Sequence, residues 1–414
     1  MELKVGYKQT EVGVIPEDWN VYSLDEMTDS KRPISYGIVQ TGPGIQNGIR
    51  CLRVVDIDDG RIRKDDLITT SQEISNAYKR TILKKDDLVM PLRGKVGETA
   101  IVDEEIEGSN LTRGVALISI RRCFDSYYCK YYISSDATRT RLAQVMNGSA
   151  LQEIPIAPLR AFKIAVPVFL EEQQAIATAL SDADALIEAL EQLLAKKRQI
   201  KQGAMQELLT GQRRLPGFAG EWETKALGAL ASVQRGASPR PIDCPIWFDE
   251  NSSVGWVRIS DVTQAGLFLR ETTQRLSAEG IRHSRPVASG SLIMSICATV
   301  GRPVITKLDT CIHDGFVVFD QLAVDQMYLY YTLRFIEQDW SRHGQTGSQM
   351  NLNTGLINST HVSVPPTQEE QTAIATVLSD MDADIATLEA KLAKARSVKQ
   401  GMMQELLTGR IRLV

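Results

Sequence analysis

The segment EEQQAIATALSDADALIEALEQLLAKKRQIKQGAMQELLTG, residues 171–211, returns almost unchanged as EEQTAIATVLSDMDADIATLEAKLAKARSVKQGMMQELLTG at residues 369–409. Extended to residues 215 and 413, the two copies align without a gap and are identical at 31 of 45 positions. The stretches that precede the two copies are far less alike. The chain therefore reads as a variable domain and a constant segment, followed by a second variable domain and a second constant segment.

Each constant segment is predicted to be one long helix. Pro167 and Pro365–Pro366 stand just ahead of the two copies, where proline is tolerated. Gly211 and Gly409 follow the last turn, where a helix is expected to stop. Apolar residues recur in alternating steps of four and three, which is typical of a coiled-coil seam. The predicted helix-pairing seam consists of Ile176, Leu180, Ala183, Ile187, Leu190 and Leu194 in the first copy, and of Ile374, Leu378, Met381, Ile385, Leu388 and Leu392 in the second.

The charge pattern predicts how the two helices pair. In both copies the acidic residues come first and the basic residues follow, so each helix complements its own dipole. Parallel pairing would oppose like charges, whereas antiparallel pairing sets acidic residues against basic ones. One exposed pair contributes only about 0.2–1 kcal/mol, but several acting in the same sense select an orientation. We therefore expect antiparallel pairing within the chain, with a pseudo-twofold relation between its halves. Two separate oligomerisation helices are the alternative.

A glycine lies inside each predicted helix, at Gly203 and Gly401. Glycine in a helix interior costs about 1 kcal/mol relative to alanine. One interpretation is a close approach of two backbones, or a bend, at this point. The other is that both glycines were inherited from one ancestral segment when it was duplicated.

The two variable domains are predicted to share one mixed fold. VIPEDW at residues 14–19 corresponds to GFAGEW at residues 217–222, and RVVDI from Arg53 corresponds to RISDV from Arg258. Short β-rich runs, separated by glycine and charged turns, precede one helix in each domain. The predicted fold class is α+β, with two globular mixed α/β domains joined by two long helices that form an antiparallel coiled coil. The predicted segments are residues 1–166 and 216–364 for the domains, and 167–215 and 365–414 for the repeat helices.

Polar loops near the end of each domain are candidates for nucleic-acid recognition. They read NGSALQE from residue 147 and GQTGSQMNLN from residue 344. Asparagine and glutamine can pair with the edge of adenine and arginine with guanine, while cationic side chains also bind phosphates. A solvated polar surface is the alternative for any single residue. The candidate DNA-binding residues are Asn147, Ser149, Gln152, Gln345, Ser348, Gln349, Asn351 and Asn353 in these loops, with Arg93, Lys95, Arg113 and Arg302 elsewhere.

The sequence contains no recognisable catalytic or metal-binding pattern. It has no [DN]PP[FY] methyltransferase motif, no GxxxxGK[ST] phosphate loop and no GxGxxG turn after a strand. The four histidines have no cysteine or histidine at ligand spacing. His313–Asp314 is suggestive, but the first domain has LTRGV at the corresponding place, so a shared catalytic role is not expected. We therefore predict no catalytic residue, no metal site and no cofactor in this chain.

The composition predicts a soluble cytoplasmic protein. The six cysteines form no CxxC pair, which indicates reduced thiols. There is no run of about 18 apolar residues and no apolar signal sequence, so neither a membrane span nor export is expected. A net charge of −4 argues weakly against nucleic-acid binding, although an acidic molecule can carry local basic surfaces.

Over nearly the whole chain, this arrangement resembles the specificity (S) subunit of type I restriction-modification systems. The resemblance is carried by VIPEDW and LPGFAGEW at the domain starts, by GSALQEIPI and GSQMNLNTGLI near the domain ends, and by PxxxEEQxAIAxxLSDxDxxI and KQGxMQELLTGxxRL in both helices. It implies two target-recognition domains, each of which reads one half of an asymmetric, bipartite site on double-stranded DNA. It also implies docking of two methylation (M) subunits, which methylate adenine at N6 with S-adenosylmethionine, and of restriction (R) subunits that use ATP and Mg.

Two other functions stay open at this level. A fused restriction-methylation enzyme would need the methyltransferase and nuclease motifs that the sequence lacks. A two-headed protein scaffold that does not bind DNA is the remaining alternative. It would be favoured if a complex with methylation subunits selected no DNA sequence.

Overall fold

The computed structural model describes residues 5–146, 152–342 and 352–413. The chain divides into two compact units. The first comprises Met1–Glu191 together with Ala390–Val414, and the second comprises Gln192–Glu389. Both units combine small sheets with helices, which confirms the α+β class. Within the described ranges, no helix has the length and apolar character needed to cross a membrane.

The first unit is built around a four-stranded antiparallel sheet, in the order Ala100–Ile101, Leu88–Pro91, Val115–Ile118 and Ser35–Tyr36. Successive side chains point to opposite faces of a strand. Accordingly Met90 packs in one hydrophobic core and Val89 in another. The remaining strands are Tyr7–Thr10, Gly13–Pro16, Trp19–Ser23, Ile49–Leu52, Ile57–Asp58, Arg61–Ile62, Ile68–Thr70, Asn110–Leu111 and Lys163–Pro167, and the shorter helices are Leu24–Met27, Gln72–Ala77, Ser126–Ser134, Asp136–Gln144 and Ile156–Ala161.

The second unit repeats this plan with a five-stranded sheet, in the order Ser232–Arg235, Phe316–Asp320, Leu292–Ser295, Pro303–Thr306 and Phe268–Leu269. Its central strands are again buried on both faces, with Met294 in one core and Ile293 in another. The remaining strands are Glu223–Ala226, Gly255–Val257, Gln274–Arg275, Arg285–Val287, Thr310–Ile312 and His361–Val364, and the shorter helices are Leu227–Leu230, Ile259–Gln264, Ala278–Arg282, Gln326–Arg342 and Thr354–Ser359.

The two repeated segments form helices of 39 residues each, and each unit contains part of both. These helices are Leu170–Leu208 and Gln368–Leu406. In the first unit Glu191 pairs with Arg396 at 2.7 Å. In the second unit Arg198 pairs with Glu389 at 2.6 Å. The acidic half of one helix thus faces the basic half of the other in each unit. This confirms the antiparallel pairing expected from the charge pattern.

The predicted seam residues are all at least half-buried, but they do not form an isolated coiled coil. Ile176 and Leu180 belong to the main core of the first unit, together with Leu406 at the end of the other helix and Leu407 just after it. The corresponding residues of the second copy lie in the main core of the second unit. Ile187, Leu194, Ile374, Leu378 and Leu392 are also buried, while Ala183, Leu190, Met381, Ile385 and Leu388 are half-buried. Because each half of a long helix packs into a domain core, the compact units divide the chain within these helices and not at their ends.

A buried ion pair joins the start of one long helix to the segment that follows the other. In the first unit Glu172, with a side chain 1% exposed, accepts hydrogen bonds from Arg412. In the second unit Glu370 is equally buried and accepts hydrogen bonds from Arg214, with 2.9 Å between Arg214 Nε and Glu370 Oε1. The second glutamate of the repeated EEQ motif therefore holds the antiparallel helix ends together, once in each unit.

The glutamine of the same motif fixes a shorter helix against the long one. Gln173 Oε1 accepts a hydrogen bond from the backbone N–H of Asp125 at 2.9 Å. Asp125 in turn caps the helix Ser126–Ser134 through Tyr128 N–H at 2.8 Å. The second unit repeats the contact, with Gln371 Oε1 accepting from Asp325 N–H at 2.8 Å. The repeated sequence therefore encodes a repeated internal frame as well as a helix.

The two helix glycines do not mark a close approach of backbones. A Cβ atom added to Gly203 or Gly401 would meet no other described atom within 4 Å. Both glycines lie inside continuous helices. The expectation of close backbone contact is therefore wrong, because neither glycine faces a neighbouring element.

Candidate nucleic-acid interface

Each polar loop ends beside a glycine-containing hairpin loop of the same unit. Ile154, just after the first polar loop, donates a backbone hydrogen bond to Leu92 O at 2.8 Å. Leu352, at the end of the second, donates to Ile296 O at 2.9 Å. The loops that follow Leu92 and Ile296 are therefore equivalent. Each unit places one of them next to its polar loop.

Three of the candidate residues come together in the first unit. Leu92 N–H donates to Gly114 O at 2.8 Å, which brings the loop of Arg93 next to that of Arg113. A Cβ atom on Gly114 would lie 3.3 Å from Arg93 Nε, so the guanidinium packs directly over this glycine. Arg93 also forms a backbone bridge with Glu153, the neighbour of Gln152. Arg93, Arg113 and Gln152 are all exposed and share one surface.

Lys95 lies in the same hairpin loop but has a carboxylate partner. Its Nζ donates to Asp58 and also to Ile57 O at 3.3 Å. Arg63 binds the same carboxylate. The hydrogen bond from Lys95, followed by that from Arg63, lowers the pKa of Asp58. The charge of Lys95 is thus partly compensated, whereas Arg93 has no carboxylate partner among the described residues.

The two described candidates of the second unit have structural partners. Arg302 Nε donates to Glu337 Oε1 at 3.2 Å, and its side chain is 29% exposed. Asn353 caps the helix Thr354–Ser359, because its Oδ1 accepts a hydrogen bond from Leu356 N–H at 2.8 Å. The remaining candidates lie outside the described residues: Asn147, Ser149, Gln345, Ser348, Gln349 and Asn351.

Sequence reasoning missed a group of arginines around Asp314 in the second unit. Arg235 Nε donates to Asp314 O at 2.7 Å, and Arg240 Nη2 donates to Asp314 Oδ2 at 3.0 Å. Arg285 Nε donates to Arg235 O at 2.6 Å. A Cβ atom on Gly236 would lie 2.1 Å from His313 O, so only glycine fits there. The sequence RGASPRP, residues 235–241, contains two of these arginines and the glycine, and this run could have indicated the cluster.

The His313–Asp314 pair is not arranged for nucleophilic catalysis with the nearby thiol of Cys297. Gly315 N–H donates to His313 Nδ1 at 2.9 Å, and burial lowers the pKa of His313. Burial raises the pKa of Cys297, so the thiol is not activated. Asp314 Oδ1 lies 3.7 Å from His313 Nδ1, but that nitrogen accepts the hydrogen bond from Gly315, and the Asp314 carboxylate binds Ser238 and Arg240 more closely. Among the described residues, no group of histidine, cysteine and acidic side chains has a geometry that could hold a metal ion.

Comparisons with known proteins identify the family. A family model described as "Type I restriction modification DNA specificity domain" matches residues 16–202 and 219–396. The chain belongs to this family. The two matches leave out little more than the connection between them and the ends of the chain. Specificity subunits of this family are not themselves catalytic.

Individual specificity subunits are similar to parts or all of the chain. The type I restriction enzyme EcoBI specificity subunit of Escherichia coli is 30% identical over 204 residues, which cover 48% of this chain and 43% of that protein. The chain thus matches less than half the length of that relative. The putative MjaX specificity subunit of Methanocaldococcus jannaschii is 24% identical over 428 residues, which cover 98% of this chain and 97% of that protein.

Solved structures of low sequence identity have the same fold. A type I restriction-modification S subunit from M. genitalium gives a TM-score of 0.61 at 13% identity and covers 98% of both chains. A chain from a study of complex assembly in a type I system gives 0.60 at 17% identity, with 96% of this chain and 99% of that one covered. The specificity-subunit fold therefore extends over nearly the whole chain.

Proposed function

We propose that this chain is the DNA-recognition subunit of a type I restriction-modification complex. Each unit would read one half of an asymmetric, bipartite sequence on double-stranded DNA. The observation that carries this proposal is a repeated frame with unlike side chains at equivalent loop positions. Arg93 of the first unit corresponds to Cys297 of the second, and Arg113 corresponds to Asp314. Different side chains on one frame are what two different half-sites require.

The repeated helices also support docking of two equivalent methylation subunits. Exposed residues that are identical in both copies recur along one helix face in each unit. They are Thr178, Asp182 and Ala185 in the first unit, and Thr376, Asp380 and Ala383 in the second. Two matching surfaces suit two copies of one partner. Restriction subunits would join the same complex.

In this proposal the chemistry belongs to the partners. Methylation subunits would bind S-adenosylmethionine and modify adenine at N6, and restriction subunits would use ATP and Mg. Because a target adenine must leave the base stack before it can be modified, the role of this chain is to hold the flanking DNA in register. The complex would act on DNA in the cytoplasm, where its cysteines stay reduced.

The decisive experiment is reconstitution of the full chain with its methylation subunits. The complex should methylate one bipartite sequence in a random DNA library, as read by sequencing that detects modified bases. Exchange of residues 11–165 for the recognition domain of a relative should change one half of that sequence and leave the other half intact. Loss of both halves would contradict independent reading, and a complex that selects no sequence would favour a protein scaffold.

A further inference from the structure

The arginine cluster of the second unit has more positive charge than its contacts neutralise. Arg235, Arg240 and Arg285 are linked to one another and to Asp314 by the hydrogen bonds described above. Asp314 is the one carboxylate in this network of described contacts. The side chain of Arg240 is 71% exposed. The cluster therefore presents a cationic surface to solvent, and an anionic or strongly hydrogen-bonding ligand would suit it.

Backbone hydrogen bonds fix this cluster next to the hairpin loop that begins at Ile296. Gly236 N–H donates to Phe316 O at 2.9 Å, which places the arginine loop beside the strand Phe316–Asp320. Ile296 N–H donates to Gly315 O at 2.8 Å and accepts, through its own carbonyl, from Leu352 N–H. Leu352 lies near the end of the polar loop. The cluster and Leu352 thus border the same hairpin loop.

Asp314 positions the guanidinium of Arg240. Ser238 Oγ donates to Asp314 Oδ1 at 2.6 Å, while Arg240 uses the other carboxylate oxygen. The residue after Arg240 is also held, because Trp247 Nε1 donates to Pro241 O at 2.7 Å. A guanidinium has five N–H donors, so one contact to a carboxylate leaves donors for a ligand. An arginine oriented in advance loses less entropy on binding.

We infer that Arg240, held by Asp314, reads a guanine in the half-site of the second unit, an inference that rests on the proposed function. Arginine binds the O6 and N7 atoms of guanine through two hydrogen bonds in the major groove, the most common specific contact to a base. The first unit differs at the equivalent places. It has Arg113 where the second has Asp314, and Tyr36 where the second has Arg235. The same frame would therefore present its arginine from a different loop in each unit.

The test is Arg240→Ala in the full chain, assembled with its methylation subunits and assayed on a library of DNA sequences. We expect a roughly 10- to 100-fold loss of preference for guanine at one position of one half-site, with the other half-site unchanged. Asp314→Asn should relax the same position, because it releases Arg240. Arg282→Ala is the matched control. It removes another exposed arginine of this unit that is paired with a carboxylate, Glu279, and should leave the sequence preference intact.

Base reading and phosphate binding are distinguished when DNA binding by the complex is also titrated at several salt concentrations. If Arg240 binds a phosphate, Arg240→Ala will weaken binding to all sequences equally and reduce the salt dependence by about one unit of slope, which would overturn the inference. An unchanged sequence preference would overturn it as well. Thermal unfolding of each variant establishes that the unit is folded. Failure of the wild-type complex to select any sequence would count against the proposed function itself, so the two failures are distinguishable.

Discussion

Replacement of Arg214 by alanine tests how the long helices are held in the second unit. Glu370, at the start of one helix, is 1% exposed and pairs with Arg214, which follows the other helix. Its other described side-chain donor is Trp222 Nε1, at a long 3.4 Å. Arg214→Ala therefore leaves a buried carboxylate with one weak hydrogen bond. The variant should loosen the contact between the two helix ends.

The expected cost follows from the burial of this pair. Removal of one partner of a buried ion pair costs about 3–5 kcal/mol, because the remaining charge stays buried without compensation. The side chain of Arg214 is 24% exposed, so water can partly replace it around Glu370. We therefore expect a loss near the lower end, about 3 kcal/mol. The variant should make local opening of the helix ends easier to a greater extent than it makes global unfolding easier. The reason is that the contact joins two helix ends and not the whole core.

The neighbouring residue supplies the control. Arg213 pairs with Glu207 at 3.3 Å, but the two side chains are 73% and 48% exposed. Arg213→Ala should cost less than about 1 kcal/mol. Hydrogen exchange of the backbone amides of residues 205–215 and 368–378, with urea unfolding of the whole chain, measures both variants. Equal protection in the two variants would refute the buried-pair argument. The double variant Arg214→Met with Glu370→Leu should recover most of the loss, because no unpaired charge remains.

Three further predictions concern other buried contacts of the two units. Asp184→Asn should lower the free energy of unfolding by about 1–3 kcal/mol, because Asp184 accepts a hydrogen bond from Tyr131 at 2.7 Å and pairs with Lys399. The same substitution at the exposed Asp182 is the control. Equal losses in the two variants would contradict a stabilising role of the Asp184 contacts. Gly236→Ala should destabilise the second unit by about 1–3 kcal/mol, because the Cβ atom of the alanine would lie 2.1 Å from His313 O. An unchanged melting temperature would contradict this close approach. Burial lowers the pKa of His313 below its ordinary value of 6.5, so the unfolded chain binds that proton more tightly than the folded chain does. The free energy of unfolding should therefore fall as the pH falls through 6.5. His313→Gln should reduce this pH dependence in urea titrations, and an unaltered dependence would exclude His313 as its source.

Local sequence patterns predicted the long helices well, but they did not predict which residues pair with the most buried polar side chains of these helices. Periodicity and charge order lie within each segment, and both helices and their antiparallel pairing follow from them. Glu172 also fitted that pattern, as one acid among several near the start of a helix. In the structure it is buried and pairs with Arg412, 240 residues away. A contact of this range depends on how the whole unit closes, and a local pattern contains no information about it.

The candidate DNA-binding residues show the same limit of local sequence patterns more strongly. Arg93 and Lys95 stand two residues apart in one loop and look alike in the sequence. Lys95 is paired because the turn around Asp58 folds back beside it, whereas Arg93 packs over Gly114 and stays exposed. The arginines around Asp314 come from separate segments, so their proximity appears only after the sheet has formed.

The duplication provides an internal comparison that separates folding from recognition. Glu172 and Glu370, which are identical in the two copies, close the same buried contact in both units. Where equivalent loop positions differ, as at Arg113 and Asp314, the backbone hydrogen bonds around them are still the same. The frame therefore does not require a particular side chain at such a position. Divergence on an unchanged frame supports the proposal that each unit reads its own half-site on the DNA, because a common ligand would favour the same side chains in both units.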